Sequence, residues 1–315
     1  MNALNVLAPV DAIEASLSQP ELERHPTNEG SVSFFRGRLA SLTLGGPVAA
    51  PGRALEVARD FLGAHPKAAF FYVGTSQLRE LAPLRLNTVP IGEDFVLDLP
   101  TVEWSPSILS AHRKAVKAGL TLTELSRSEL TKLEPEMREI QAAYLAKQEV
   151  KCEMRFLTRL CEFAAERVGR TFGLFFKGAL LGFAVLDPYT TASGAPAAML
   201  NLFRVGPTKL WGVYFAVVKL LAEKLAAEGL KALSLGFLPL SFSPDHPPAS
   251  KQLALFRELA KRSPYLKGLR HLKESFPARR ETRWLLTPRT LLIRDFVTLF
   301  EAMGVYRKPS GATTR

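Results

Sequence analysis

Segments with the two-residue repeat of a β-strand alternate with segments of helical periodicity along the whole of this 315-residue chain. Residues 31–47 (SVSFFRGRLASLTLGGP) alternate between apolar and polar side chains and end in a Gly-Gly-Pro stop, which is typical of a strand and its turn. Residues 211–229 form the clearest helix, because their apolar side chains lie towards one face. This alternation predicts an α/β or α+β architecture in which helices flank a central sheet.

The predicted elements divide into two similar halves. A long helical stretch at residues 128–168, broken near Lys151, joins them. Strands are predicted at residues 67–75, 95–99, 195–206, 231–240 and 281–287, a helix closed by Gly119 at 107–119, and a hairpin around Lys177 and Gly178. The element order predicts one domain at residues 1–127 and a second at 128–315, which ends in a basic segment and an amphipathic helix.

Composition places the chain among globular proteins of a reducing compartment. Hydrophobic residues make up 47% and charged residues 23%, and no apolar run reaches the roughly 20 residues that a bilayer requires. The first 30 residues predict a helix with a loose lead-in, and their early acidic residues are unlike a secretory signal. Cys152 and Cys161 are the only cysteines and lack metal-binding spacing. We therefore expect a cytoplasmic protein, at most peripheral to the inner face of a membrane.

Positive charge is concentrated at the end of the chain. Residues 251–315 contain 15 Lys and Arg against 5 Asp and Glu, so they carry +10 of the net +11. Such a concentration favours phosphate-bearing partners, namely nucleic acid, a nucleotide cofactor or anionic lipid. A solvated basic surface is the plain alternative.

The terminal segment at residues 289–303 is amphipathic. Packing of its apolar stripe onto the domain is one interpretation, and docking on a membrane surface together with Arg307 and Lys308 is the other. The stripe consists of Leu292, Phe296, Leu299, Phe300 and Met303.

Several catalytic classes leave no trace in the sequence. It contains no Walker loop, no HExxH and no GxSxG, which argues against hydrolases and metalloenzymes, and we predict no metal. The five histidines, none in a nucleophile pattern, are His25, His65, His112, His246 and His271. An enzyme of this composition would work by positioning and electrostatics.

A strand, a short loop with glycines and a helix follow one another at residues 200–229. Acyl-CoA N-acyltransferases hold a pyrophosphate with this layout, in which backbone N–H groups and the helix dipole face the anion. The spacing of Arg204, Gly206 and Gly212 is wider than the usual Arg/Gln-x-x-Gly-x-Gly/Ala pattern, and Gly206 is equally suited to a turn.

Seven short segments, read in order, resemble one family. Residues 91–99 (IGEDFVLDL) are similar to its Ile-Gly-Glu-x-Ala-x-Val-Asp-Leu strand, and residues 200–206 (LNLFRVG) to its Asp-Leu-Met-Arg strand. The others are LGGPV at 44–48, LSAHRKAVKAGL at 109–120, EMRF at 153–156, LSLGFLPLS at 233–241 and GLRHLKESFPARRETRWLL at 268–286. From about residue 30 to 287 the chain thus resembles the catalytic domain of the multiple-peptide-resistance-factor family, the phosphatidylglycerol lysyltransferases and alanyltransferases.

This resemblance implies two tandem GNAT-like acyltransferase domains joined by a long helix, with the active pocket in the second. It also implies an acyltransferase that moves an aminoacyl group from aminoacyl-tRNA, a co-substrate, to a lipid hydroxyl, without a separate cofactor. Anionic lipid is then a second partner.

The matched positions give the candidate site residues. Lys273 or Arg204 would polarise the ester carbonyl and steady its oxyanion, with Asn201 beside them as a third catalytic candidate. Arg270 and Arg283 would hold phosphates, and Glu153 the donor's α-amino group. Phe156, Gly236 and Ser241 fall in matched segments and complete the substrate-binding set. Surface charges, and an ion pair at Glu153, are the plain alternatives.

The chain departs from the family's pattern at several positions, among them a Trp of the closing segment that is replaced within ARRET at 278–282. Asn201 and Gly46 stand where it has Asp, and Ser275 where it has Lys. Two other functions therefore stay open: an acyl-CoA-dependent N-acyltransferase, and a non-catalytic basic module that binds RNA or a membrane surface.

Overall fold

The computed structural model describes residues 19, 21–148, 153, 155–159, 169–191, 193–242, 251–290 and 292–304. Within these ranges, one mixed sheet of 12 strands runs through the molecule and is accompanied by eight α-helices and two 3₁₀ helices. The predicted α/β architecture is confirmed.

The strands lie in the order β1-β2-β3-β5-β12-β6-β11-β10-β9-β8-β7, with β4 paired to β2. Their bounds are β1 Glu23–Thr27, β2 Gly30–Arg36, β3 Ser41–Leu44, β4 Val48–Ala49, β5 Ala68–Val73, β6 Asn87–Asp98, β7 Leu120–Glu124, β8 Arg170–Phe176, β9 Ala179–Thr190, β10 Pro196–Val205, β11 Ala232–Pro239 and β12 Arg279–Thr287. The β3–β5 and β10–β11 pairs are parallel, and the other pairs in this order are antiparallel.

Along the chain, helices alternate with groups of strands in both halves. They are α1 Ala54–Ala64, α2 Thr75–Leu81, α3 Pro106–Lys117, α4 Arg127–Ala146, α5 Val213–Ala227, α6 Lys251–Ala260, α7 Pro264–Glu274 and α8 Ile293–Ala302, with 3₁₀ helices at Ala82–Leu84 and Leu99–Thr101.

Local sequence explains where several elements begin and end. Helices α3 and α7 both start with Ser-Pro: Ser105 and Ser263 accept the backbone N–H three residues on, and the proline takes the first helical position. The predicted hairpin around Lys177 and Gly178 joins β8 to β9, and both residues have positive φ, 52° and 84°. That geometry belongs to the tight turn whose twist matches paired strands.

The same strand–helix–strand unit occurs in each half. Helix α1 lies between the parallel strands β3 and β5, and helix α5 lies between the parallel strands β10 and β11. Parallel neighbours require such a crossover connection.

Strand β12 comes from the end of the chain but lies between β5 and β6 of the first half. At the far edge, β7 of the first half pairs with β8 of the second. The sheet therefore crosses the predicted division at residue 127, and that boundary stays a prediction.

Some segments differ from their predicted form. Residues 31–47 form parts of two strands, because the chain turns at Gly37, whose N–H bonds Ala40 O at 2.9 Å. The helix predicted to start at residue 128 ends at Ala146, and residues 149–152, 154 and 160–168 lie outside the described ranges, as do residues 1–18 and 20.

The apolar stripe of the terminal segment packs onto the sheet. Leu292, Leu299 and Met303 are buried, and Phe296 and Phe300 pack against the same cluster as Leu42 of β3. Arg307 and Lys308 are outside the described ranges. Among the described helices, none has both the length and the apolar character needed to cross a bilayer.

Candidate functional site

Strands β10 and β11 stop pairing at the centre of the sheet. Their parallel register ends at Met199 and Ser234, although both strands continue beyond it. Both are irregular at this point: the register of β10 shifts between Leu200 and Leu202, and that of β11 shifts between Ser234 and Phe237. Beyond these residues β10 and β11 are no longer hydrogen-bonded to each other, and a side chain can lie between them.

The side chain in this gap is Lys273, near the end of α7. Its Nζ donates to Phe237 O at 2.9 Å. A Cβ built on Gly236 would lie 3.6 Å from this Nζ and 3.8 Å from Leu200 O. Gly236 itself has φ +83°, which L side chains rarely adopt. Gly236 therefore lies directly beside Lys273, and the structure brings these two predicted residues together.

Burial changes the acid–base chemistry of Lys273. Its side chain is 4% exposed. Desolvation lowers its pKa from 10.5 to about 7, and the charge of Asp94 opposes part of this shift. A large fraction of Lys273 is therefore the neutral amine at neutral pH, which is able to accept a proton.

Asp94 of β6 occupies the centre of a buried network. Its Oδ2 accepts from Tyr72 Oη at 2.5 Å and from Arg283 at 2.7 and 2.8 Å. Arg283 is 1% exposed and also bonds Glu281 at 2.9 Å. Removing one partner of such a pair typically costs about 3–5 kcal/mol, because the other charge stays buried alone. The predicted substrate residue Arg283 is thus built into the core of the sheet.

Asp94 Oδ1 has no hydrogen-bond partner within the described ranges. It is an acceptor beside the network that holds Arg283, within electrostatic reach of Lys273. Sequence reasoning did not single out Asp94. The available signal was a pair of adjacent acids, Glu93 and Asp94, inside a stretch whose other residues from 89 to 97 are apolar or Gly.

Glu93, the second acid of that pair, also lies in the buried interior. Ser241 Oγ donates to Glu93 Oε2 at 2.8 Å, and Arg280 Nη1 lies 3.7 Å from the same oxygen. The predicted residue Ser241 thus contacts β6 directly.

Arg204 and Glu153 form a second, largely buried group. Arg204 Nη2 donates to both Glu153 oxygens, at 2.8 and 3.0 Å, and its guanidinium lies 4.2 Å from the ring centre of Tyr144. Tyr265 of α7 is hydrogen-bonded to Tyr144, and burial raises the pKa of Tyr265 to about 12. Arg204 Nε has no hydrogen-bond partner among the described residues, so one buried donor is left over.

Helix α7 connects the two groups. Tyr265 near its start touches the Arg204 group, and Lys273 lies eight residues further on, about 12 Å along the axis. Arg270 is half-buried one turn before Lys273. The catalytic and substrate-binding roles of these residues stay predictions.

Asn201 and Phe156 have structural partners. Asn201 Oδ1 accepts from Arg159 N at 3.1 Å, and its Nδ2 donates to Arg159 O at 2.9 Å. An aspartate could not donate the second bond. Phe156 is buried with φ +70°, and Gln19 bonds both its N–H and its carbonyl, at 3.1 and 2.9 Å. These contacts leave the predicted catalytic role of Asn201 untested.

Solved structures resemble the chain over nearly its full length. The C-terminal domain of a protein from Agrobacterium fabrum, named as a lysylphosphatidylglycerol synthetase, matches at TM-score 0.77 with 18% identity, covering 94% of both chains. L-PGS from Bacillus licheniformis matches at TM-score 0.75 with 16% identity over 91% of this chain and 90% of that one. FemX matches at 0.58 with 10% identity over 94% and 96%. No curated protein matches the sequence.

These likenesses define the class: a mixed α/β protein of the GNAT-like fold, as predicted. The family model described as phosphatidylglycerol lysyltransferase, C-terminal, matches residues 21–287. The chain belongs to this family, and the predicted resemblance to it is confirmed.

Proposed function

We propose that this protein transfers an aminoacyl group from aminoacyl-tRNA to the hydroxyl of a phosphatidylglycerol-like lipid or another small acceptor. Membership of the lysyltransferase family supports this reaction. The observation that carries it is Lys273, a buried amine in the gap between β10 and β11, with a pKa of about 7. Aminoacyl-tRNA is the co-substrate, and the protein works at the cytoplasmic face of the membrane without a separate cofactor.

Neutral Lys273 supplies the proton transfer that this reaction needs. The acceptor hydroxyl attacks the ester carbonyl carbon while Lys273 Nζ takes its proton. The tetrahedral intermediate then expels the ribose oxygen of the tRNA, which receives a proton from the same ammonium. One ester bond forms, one breaks, and no proton is consumed.

Arg204 and Glu153 suit the donor end of the substrate. The leftover Nε–H of Arg204 is a buried donor for an ester or phosphate oxygen, where charge-assisted bonds are strong. Glu153 is already bound by Arg204, and a donor α-amino group would share its remaining acceptor positions. The two groups together would hold the aminoacyl end of the donor, and the ester carbonyl would extend from there to the acceptor hydroxyl beside Lys273 Nζ.

The test measures the transfer of radiolabelled amino acids from aminoacylated total tRNA to the lipid of phosphatidylglycerol vesicles. We expect a lipid product whose formation stops when ribonuclease is added first. Lys273→Met should lower turnover about 10²- to 10⁴-fold, the usual contribution of a positioned base. Lys267→Met, an exposed lysine on the same helix, is the matched control.

Two results would count against the proposal. One is the absence of product with every aminoacyl-tRNA, and the other is equal activity of Lys273→Met and Lys267→Met. If Lys273→Met instead weakens only salt-sensitive RNA or vesicle binding, the protein is a basic binding module.

An acyl-CoA donor is the second candidate, and one observation favours it. Helix α5 follows β10, the first strand of a parallel pair, through a short loop, which is the layout that binds a pyrophosphate at a helix N-terminus. Thermal unfolding with acetyl-CoA, longer acyl-CoAs or tRNA separates the donors, because only a bound ligand raises the unfolding temperature.

A further inference from the structure

Residues 155–159 lie just after Glu153, the carboxylate that pairs with Arg204, and form neither helix nor strand. Their backbone therefore lacks the hydrogen bonds of a sheet or a helix, and its buried polar groups need other partners. Arg155 N donates to Glu153 O at 3.0 Å. The position of Glu153 therefore depends on how these residues are held.

Two side-chain carboxamides hold this segment, one from each half of the chain. Gln19 Nε2 donates to Phe156 O at 2.9 Å, and Gln19 Oε1 accepts from Phe156 N at 3.1 Å. Asn201 makes the same pair of bonds with the backbone of Arg159, at 2.9 and 3.1 Å. Each amide thus serves both backbone groups of one residue, as a neighbouring strand would. We call these contacts the amide clamps and residues 155–159 the clamped segment.

Ion pairs reinforce both clamps. Arg155 pairs with Glu21, two residues after Gln19, and Arg159 pairs with Asp187 of β9. Both carboxylates are largely buried, so solvent and salt screen these pairs little. The clamped segment is therefore tied to the rest of the protein at both of its ends.

The clamps hold a backbone conformation that is unfavourable by itself. Leu157 N donates to Arg155 O at 2.8 Å, which closes a three-residue turn centred on Phe156. Phe156 is buried and has φ +70°. A turn of this kind is rare and strained for a bulky side chain. Such strain persists only where the surrounding contacts over-determine it, and it is concentrated at binding and catalytic sites.

Asn201 reaches the clamped segment because β10 is irregular at this residue. Leu200 and Leu202 pair with consecutive residues of β9, so Asn201 is the extra residue of a β-bulge. A bulge leaves its extra residue unpaired in the ladder and re-aims a side chain. Arg204 follows three residues later on the same strand. Asn201 therefore links the clamped segment to the strand that carries the guanidinium.

We propose that Gln19 and Asn201 are positioning residues, which hold Glu153 against Arg204 through the clamped segment. The inference rests on the proposed function, in which Glu153 binds the α-amino group of the donor. Asn201 then acts without touching the substrate, unlike the catalytic role predicted from the sequence. A carboxylate at this position would accept from Arg159 N but would repel Arg159 O, so the clamp requires an amide.

Kinetics with aminoacyl-tRNA test the inference on Asn201→Asp and Gln19→Glu, which keep the size of each side chain but remove its donor. We expect KM for aminoacyl-tRNA to rise roughly tenfold and kcat to change less than about twofold, because Glu153 binds the donor alike in the ground and transition states. The matched control is Gln77→Glu, since Gln77 is a buried carboxamide that bonds Gly46 N and Pro47 O instead. It should leave KM unchanged.

A double-mutant cycle with Glu153→Gln shows whether the clamps act through Glu153. In that background, Asn201→Asp and Gln19→Glu should raise KM less than about twofold further, because the carboxylate that they position is already gone. A further tenfold rise overturns the proposal, since the clamping residues would then affect binding independently of Glu153. A fall in kcat at unchanged KM also overturns it and would support the catalytic role of Asn201. Unchanged kinetics overturn it as well.

Amide exchange of the clamped segment is a measurement that needs no turnover. Asn201→Asp and Gln19→Glu should speed this exchange at least about tenfold, and Gln77→Glu should not, because a segment that has lost a clamp opens more often. Unchanged exchange overturns the proposal. Thermal unfolding checks that each variant folds, and Gln19→Glu carries the test if Asn201→Asp does not fold. If the unchanged protein transfers nothing, the proposed function fails, whereas the exchange still decides whether the amides hold the segment.

Discussion

At the residue scale, the environment of each candidate side chain decides its chemistry. Lys273 is an ordinary lysine in the sequence, but in the fold it is a buried amine beside the carbonyl of Phe237. Arg283 was expected to hold a phosphate, yet its guanidinium already binds Asp94 and Glu281. Arg204 keeps one buried donor in addition to its pair with Glu153.

Lys273 should make stability depend on pH. It titrates near 10.5 in the unfolded chain and near 7 in the folded protein, so between these values unfolding takes up a proton. The free energy of unfolding therefore rises as pH increases from 7 towards 10.5. Relative to Lys273→Met, the rise should be on the order of a few kcal/mol.

Urea unfolding at a series of pH values measures this difference. Other groups that titrate in the same window cancel, because the protein and its variant share them. Lys267→Met, at an exposed position, should leave the pH dependence unchanged. Parallel curves for the protein and Lys273→Met would show that Lys273 keeps its ordinary pKa.

At the element scale, the predicted helices and strands correspond to observed ones wherever the chain has a local stop signal. Gly119 ends α3, and Lys177 with Gly178 ends β8, because positive φ at these positions closes a helix or a hairpin. The sequence did not reveal that β10 and β11 separate beyond Met199. Lys273, whose Nζ lies beside this separation, comes from a helix more than 30 residues later.

Packing between α3 and α5 should be sensitive to Gly212. Gly212→Ala forces a side chain into the left-handed region and places its Cβ 2.8 Å from that of Ala111. Gly178→Ala has a similar φ but open space around it. We expect about 1–2 kcal/mol of destabilisation at Gly178 and about 1–3 kcal/mol more at Gly212.

Urea unfolding of the two variants gives the comparison. The difference between them isolates the contact between the helices, since the backbone cost is shared. Equal losses would mean that α3 moves aside freely and that the loop bearing Trp211 is not held against it.

At the scale of the whole molecule, the sheet joins the two halves. Strand β12 lies between β5 and β6, and β7 pairs with β8, so each half supplies strands to the other's part of the sheet. The candidate network also joins the two halves, because Asp94 comes from β6 of the first half and Arg283 from β12 of the second.

The fragment 1–127 should therefore fail to fold cooperatively by itself. Without β12, the edges of β5 and β6 would expose unpaired backbone groups and the apolar side chains that β12 covers. Circular dichroism and amide exchange of the isolated fragment measure this, and co-expression with 128–315 is the control that should restore the signals. A stable, exchange-protected fragment would instead show that residue 127 is a true domain boundary.

The sequence by itself determined the alternation of strands and helices, the family and the identity of the matched side chains, because these depend on local periodicity and on residue type. Only the tertiary structure decided that Lys273 is buried, that Arg283 is neutralised by Asp94, and that Asn201 clamps the backbone of Arg159. Burial and pairing join residues far apart in the chain. A pattern read along the chain records which groups are present, but the distance between them is set by the packing of the sheet.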